Sequence, residues 1–168
     1  KSIAWDYMKQ FTAKIPHTKF NETELRVDLP NGSRITLLGS ESPDGLRGIY
    51  LDGCVIDEYA NVNSKLFPEI IRPALSDRKG YCVFIGTPMG MNNNFYELYQ
   101  HAQGAEDWFN YKAKASDTKI VDNDELVKAK EVMGDKKFQQ EFECDWIANI
   151  EGAVYGDVIA KLDDDKQL

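Results

Sequence analysis

Two apolar runs constrain this chain more than anything else in it. The first, Asp52-Gly53-Cys54-Val55-Ile56-Asp57-Glu58, closes on a pair of acids. The second, Gly80-Tyr81-Cys82-Val83-Phe84-Ile85-Gly86-Thr87-Pro88, closes on a small polar turn. Runs of this length, rich in Val and Ile and bounded by Gly, predict strands buried on both faces. Strands of that kind imply an α/β fold with a mostly parallel sheet flanked by helices, in which chemistry gathers at the carboxyl ends of the strands. Asp57, Glu58, Gly86 and Thr87 are expected to emerge there.

Paired acids at the end of a buried strand suit nucleotide hydrolysis. Asp57 can hold the hydration shell of a Mg²⁺ ion that neutralises phosphate charge. The adjacent Glu58, pointing the other way, can orient and deprotonate an attacking water. The Gly86-Thr87-Pro88 turn would bring a hydroxyl within reach of the same terminal phosphate. An Asp-Glu pair alone is more often a strand running out into a solvated loop; the second strand and its polar triplet reverse that reading in favour of a site.

Three stretches carry a resemblance: Pro43-Asp44-Gly45-Leu46-Arg47-Gly48, Val55-Ile56-Asp57-Glu58-Tyr59-Ala60 and Ile85-Gly86-Thr87-Pro88-Met89-Gly90. In order, spacing and the Leu-Arg-Gly element they resemble the large terminase subunit of tailed bacteriophages, the ATP-driven motor and nuclease that packages viral DNA into procapsids. The likeness runs from the first helix to Phe142-Glu143-Cys144-Asp145-Trp146. It implies a P-loop NTPase sheet of the ASCE type, with ATP and Mg²⁺ as cofactors. Glu58 would be catalytic, Asp57 would serve the metal, and Gly86 and Thr87 would serve the nucleotide. Arg47 would be a finger reaching a neighbouring subunit's ATP, where a guanidinium stabilises charge on the transferred phosphoryl group. A salt bridge to a nearby acid is the alternative for Arg47. The implied partners are double-stranded DNA, the portal protein, the small terminase subunit and further copies in a homo-oligomeric ring on the portal, in the cytoplasm of the bacterial host.

Two family elements are missing from these residues. No Gly-x-x-x-x-Gly-Lys-Ser/Thr phosphate loop occurs in the sequence, and without its backbone N–H cradle and lysine a nucleotide has little to hold its phosphates. In terminases the strand and helix that carry it lie upstream, and the acidic cluster of the nuclease lies downstream. The expectation is a piece of the motor domain over residues 1–146, then a linker or the start of a nuclease domain over 147–168, with negligible ATPase and no nuclease activity from this polypeptide alone. Two other readings stay open: part of a superfamily 2 helicase-like ATPase, or a non-catalytic assembly module built on the same sheet.

Composition narrows the classes. The 168 residues are one domain's worth, and 42% hydrophobic with 29% charged residues is ordinary for a soluble globular protein. No apolar run approaches the roughly 20 residues of a membrane span, and no signal peptide is visible. The net charge of −8, with no basic cluster to offset it, argues that this stretch is not the main DNA-gripping surface. The three cysteines lack paired spacing, and two sit within the predicted strands, so they are expected in the core of a protein from a reducing compartment. His17 and His101 have no Cys or acid at ligand spacing, which disfavours a metal site there.

In chain order, Lys1 to Lys14 predicts an amphipathic helix with Ile3, Tyr7, Phe11 and Ile15 on its inward stripe, stopped by Pro16. Residues 22–38 predict a hairpin about Pro30-Asn31-Gly32. Gly39 to Gly48 is a loop. Ser64 is the expected cap of a short helix through Leu66, Ile70 and Ile71 that Pro73 ends. Asn92-Asn93-Asn94 opens a helix with Phe95, Leu98 and Tyr99 inward, and capping is the expected duty of the asparagines. Trp108 to Ala113 alternates like a strand. Asp122 caps a helix that Gly134 breaks, and a second helix follows through Phe138 and Phe142. Asp163-Asp164-Asp165 is read as a solvated acidic tail.

Overall fold

The computed structural model describes residues 2–41 and 43–147. The expectations for the stretch beyond Ile147, its acidic triplet included, lie outside the described residues. The chain divides after Arg47 into two compact units.

The first unit is a helix and a small antiparallel sheet. Helix α1 covers Ser2–Thr12, and strands β1 (Lys19–Asn21), β2 (Arg26–Asp28) and β3 (Arg34–Thr36) pair in the order β1-β2-β3. The hairpin is present as β2 and β3, with Val27 opposite Ile35 and the turn closed by Leu29 N–H on the Ser33 carbonyl at 2.8 Å. β1 was not expected, because Lys19-Phe20-Asn21 is too short and too polar to show a strand pattern. Val27, at the middle of the central strand, is fully buried.

The helix corrects the sequence reading. Ile3, Tyr7 and Phe11 are 73%, 56% and 75% exposed, and the buried residues of α1 are Trp5 and Thr12. The indole of Trp5 sets the rotation of the helix. Its N–H donates to Glu22 at 2.5 Å, its ring meets Phe20 edge-on at 6.3 Å, and Lys9 lies over it. A polar tie with an aromatic body outweighs the aliphatic stripe in a sheet of three-residue strands, which has little apolar surface to offer.

The second unit holds the parallel strands. β4 (Gly53–Ile56) and β5 (Tyr81–Phe84) pair in parallel, with Cys54 opposite Cys82 and Ile56 opposite Phe84. The chain is thus mixed α/β with small sheets; among the described residues the parallel part has two strands rather than a large sheet. Burial on both faces does not hold either, since Val55 and Tyr81 are 59% and 67% exposed. Ile56 is buried, and the Phe84 ring lies edge-on to Phe67 and Tyr59, each at 4.7 Å. The opposite face keeps the Val-rich pattern of a covered parallel strand, but no described element covers it.

A helical crossover joins β4 to β5, and among the described residues three helices come after the strands. Leu66–Ile71 is a π-helix that runs into α2 (Arg72–Ser76). Pro73 therefore does not end the helix; it sits where the π-helix passes into the first turn of α2. Ser64 is not its cap, since Asn63 accepts from the Lys65 amide at 3.0 Å instead. α3 (Asn94–Ala102) is capped by Asn93, whose side chain accepts from the Phe95 and Tyr96 amides, as expected for this asparagine run. Trp108 to Ala113 forms no strand: Trp108 stacks on Phe84 at 5.9 Å, yet no backbone ladder joins the segment, and Phe109 and Tyr111 face solvent. Ala115–Thr118 makes a single turn, α4. α5 (Asn123–Glu143) is capped by Asp122 and interrupted at Gly134, whose φ of 77° breaks it into the two expected helices. Cys54, Cys82 and Cys144 are free and half-buried.

Candidate active site

The ladder between β4 and β5 continues past their ends, with one irregularity. Ile85 N–H donates to the Ile56 carbonyl at 2.9 Å, and the Ile85 carbonyl accepts from Tyr59 N–H at 3.0 Å. In a regular parallel ladder the second bond would come from Glu58. One extra residue is therefore inserted, which makes Asp57-Glu58 a bulge at the carboxyl end of the strand. Glu58 absorbs it with φ 51° and ψ 43°, a left-handed conformation. The amide that this displaces from the ladder is not orphaned, because Asp57 Oδ1 accepts it at 3.0 Å. Both carboxyl groups are exposed.

Gly86 is where the bulge meets the second strand. A Cβ built on Gly86 would stand 3.2 Å from Tyr59 N, 3.3 Å from the Phe95 ring and 3.5 Å from the Glu58 Cα. The glycine allows the two strand ends to approach this closely. Thr87 follows, half-buried, and Pro88 is buried. Asp57, Glu58, Gly86 and Thr87 accordingly gather at the carboxyl ends of two adjacent parallel strands.

Arg47 belongs to the other compact unit. It follows a 3₁₀ turn, Pro43–Leu46, and its Nε donates to Asp44 Oδ1 at 2.8 Å while its amide donates to the Asp44 carbonyl at 3.2 Å. Both side chains are exposed, so the pair is weak and salt-sensitive. The salt bridge foreseen as the alternative for Arg47 is thus present, with Asp44.

The donors at the strand ends are hard oxygens, a set that fits Mg²⁺ better than a soft metal. No group of three or more His, Cys, Asp or Glu side chains able to hold a metal occurs among the described residues. An ion there would keep water and phosphate oxygens as most of its ligands, the usual habit of Mg²⁺. Nothing in the run of residues signals the bulge or the convergence of Tyr59 and Phe95 on Gly86. Only the aromatic directly after the two acids could have hinted at an anchored turn.

Residues 5–157 match the family described as terminase large subunit, T4likevirus-type, N-terminal. The chain belongs to that family. Large terminase subunits of the Thermus phages G20c and P23-45 are each 42% identical to it over 60 residues, which is 36% of this chain and 12% of theirs. The match thus spans about an eighth of the length of those relatives. Among solved structures, the large terminase ATPase domain of Thermus phage P74-26 aligns with a TM-score of 0.67 at 22% identity, over 86% of this chain and 70% of that one. The large terminase of bacteriophage D6E in complex with ADP aligns with a TM-score of 0.69 at 16% identity, over 83% of this chain and 36% of that one. At these identities the likeness shows a shared mixed α/β fold. No helix among the described residues is long and apolar enough to cross a membrane.

Proposed function

We propose that this terminase chain forms part of the ATPase motor that drives viral DNA into a procapsid. The observation that carries the proposal is the bulge that sets Asp57 and Glu58 against Gly86-Thr87 at the carboxyl ends of β4 and β5. In this reading β4 and β5 are two strands of a larger, mostly parallel P-loop NTPase sheet, which accounts for the Val55 and Tyr81 face that the described residues leave uncovered.

ATP with Mg²⁺ would supply the transferable phosphoryl group and the charge neutralisation. Asp57 would hold the ion through its water shell while one of its oxygens keeps the Glu58 amide. Glu58 would orient the attacking water and take its proton, the role of a Walker B-type glutamate. Gly86 would keep the two turns in contact, and the Thr87 hydroxyl would donate toward the terminal phosphate. Arg47, released from its exposed pair with Asp44, would stabilise developing charge at the site of an adjacent copy. The phosphate grip must come from residues outside these 168, so this polypeptide alone should turn over negligible ATP.

The wider assignment follows the family: double-stranded DNA as the translocated polymer, a homo-oligomeric ring on the portal, the small terminase subunit as a further partner, and the host cytoplasm as the place of action. The net charge of −8 suits a segment that works on the nucleotide and leaves most of the DNA grip to other surfaces. The test is Glu58→Gln in the complete protein. Turnover should fall by a factor of about 10² to 10⁴ while ATP binding is retained. Equal turnover in the variant and the wild type would remove Glu58 from this role. A complete protein with no DNA-stimulated turnover would favour the assembly module instead.

A further inference from the structure

We propose that Phe95 is a positioning residue for Glu58, and that its ring ties the acid turn to Trp146 beyond the end of α5; the proposal rests on the catalytic reading of Glu58. A left-handed conformation at a residue other than glycine is strained. It persists only where the surroundings over-determine it. At Glu58 three backbone ties do part of this: the Asp57 carboxylate on the Glu58 amide, the Tyr59 amide on the Ile85 carbonyl, and the Asn61 amide on the Glu58 carbonyl at 2.8 Å. The rest falls to the Tyr59 ring, which is buried directly after Glu58, edge-on to Phe84 at 4.7 Å and to Phe95 at 5.8 Å.

Phe95 is the ring that meets both halves of the site. Beyond its contact with Tyr59, its Cε1 lies 3.3 Å from the point where Gly86 would carry a Cβ. The ring is held from two sides. Asn93 accepts its backbone amide at 3.0 Å and so fixes the first turn of α3, and Trp146 packs edge-on against it at 5.3 Å. Trp146 is itself buried against Tyr96 and Tyr99. A continuous aromatic path therefore runs from the residue after Glu58 to Trp146, just past the end of α5. Phe95 touches no substrate in this scheme; it acts through the turn.

Displacing a general base by about 1 Å can cost as much as 10²-fold in rate. In the complete protein, Phe95→Leu should lower kcat for ATP about ten- to a hundredfold and leave KM within about threefold, with Phe95→Tyr close to wild type. In a Glu58→Gln background, Phe95→Leu should cause no further fall, because two residues that act through one group are not additive. A lowered melting temperature with unchanged kcat, or a full further loss in the Glu58→Gln background, would reduce Phe95 to a packing residue. Amide exchange gives a readout independent of turnover. In Phe95→Leu the Tyr59 amide should exchange about tenfold faster while the Val83 amide is unchanged; equal rates at Tyr59 in variant and wild type would overturn the proposal. If the wild-type protein shows no turnover, the catalytic reading of Glu58 fails and the exchange experiment still decides whether Phe95 holds the turn.

Discussion

Val27 and Leu75 are both almost completely enclosed, at 0% and 1% exposure, yet they sit in different kinds of interior. Around Val27 the sheet is dressed with charge: Arg26 pairs with Glu24 and Asp28, Arg34 with Asp28, and the one buried aromatic of α1 is tied to Glu22. Around the strands of the second unit the ties are rings, from Phe67 and Phe84 through Tyr59 and Phe95 to Trp146. The first unit is too small to enclose even its own apolar helix stripe, and directional polar contacts fix its geometry. The second unit carries all of the net negative charge and both acids of the candidate site, so it needs a stiff apolar frame to hold exposed carboxylates in a bulged turn.

The largest expected effect tests this difference in the cores. Leu75→Ala should destabilise the second unit by about 2–5 kcal/mol, read as lost protection of the β4 and β5 amides or a lower denaturant midpoint. Val27→Ala removes fewer atoms from a thinner interior and should cost about 1–2.5 kcal/mol, read at the β2 and β3 amides. A larger loss at Val27 than at Leu75 would invert the comparison and make the small sheet the better-packed body.

A middle-sized effect separates the two units at their glycines. Gly86 is confined by neighbours, so Gly86→Ala should cost about 1–3 kcal/mol through crowding of Tyr59 and Phe95, and it should lower turnover by disturbing Glu58. Gly32 has open space where a Cβ would go but a φ of +85°. Its restriction is local, and Gly32→Ala should cost about 1 kcal/mol, most of it recovered in Gly32→Asn because Asn tolerates the left-handed region. Gly86→Asn should be worse than Gly86→Ala. Recovery by Asn at both positions, measured by thermal unfolding, would mean that Gly86 is also a backbone requirement and not a contact.

What the sequence made legible was the part written in consecutive residues. The apolar runs ending at Asp57-Glu58 and Gly86-Thr87 do pair in parallel, Asn93 and Asp122 do cap helices, and Gly134 does interrupt α5. What it hid depends on residues distant along the chain. The rotation of α1 is set by Trp5 against Glu22 and Phe20, which no helical period encodes. The strand expected at Trp108–Ala113 alternates correctly but finds no ladder partner among the described residues. The bulge at Glu58 is a matter of register between β4 and β5, and a one-residue offset is invisible until both strands are seen together.

The smallest effect is the acid response of the first unit. The indole N–H of Trp5, more than the Lys9 ammonium, holds the Glu22 carboxyl below its ordinary value against the opposing pull of burial. The Arg34 guanidinium, then Arg26, does the same for Asp28. A carboxyl whose pKa is depressed on folding adds stability above its unfolded pKa and loses it as pH falls through the folded value. Protection at the Val27 and Ile35 amides should therefore be flat from pH 7 to about pH 5 and decline below about pH 4. Amides of β5, packed by rings, should decline less. Glu22 is exposed and Asp28 only half-buried, so the loss should be modest and should shrink further in high salt. Asp28→Asn should flatten part of the acid limb while lowering protection at pH 7. An acid limb of equal depth in the two units would mean that the ion pairs decorate the small sheet without holding it, and that its geometry rests on Val27 and Trp5 alone.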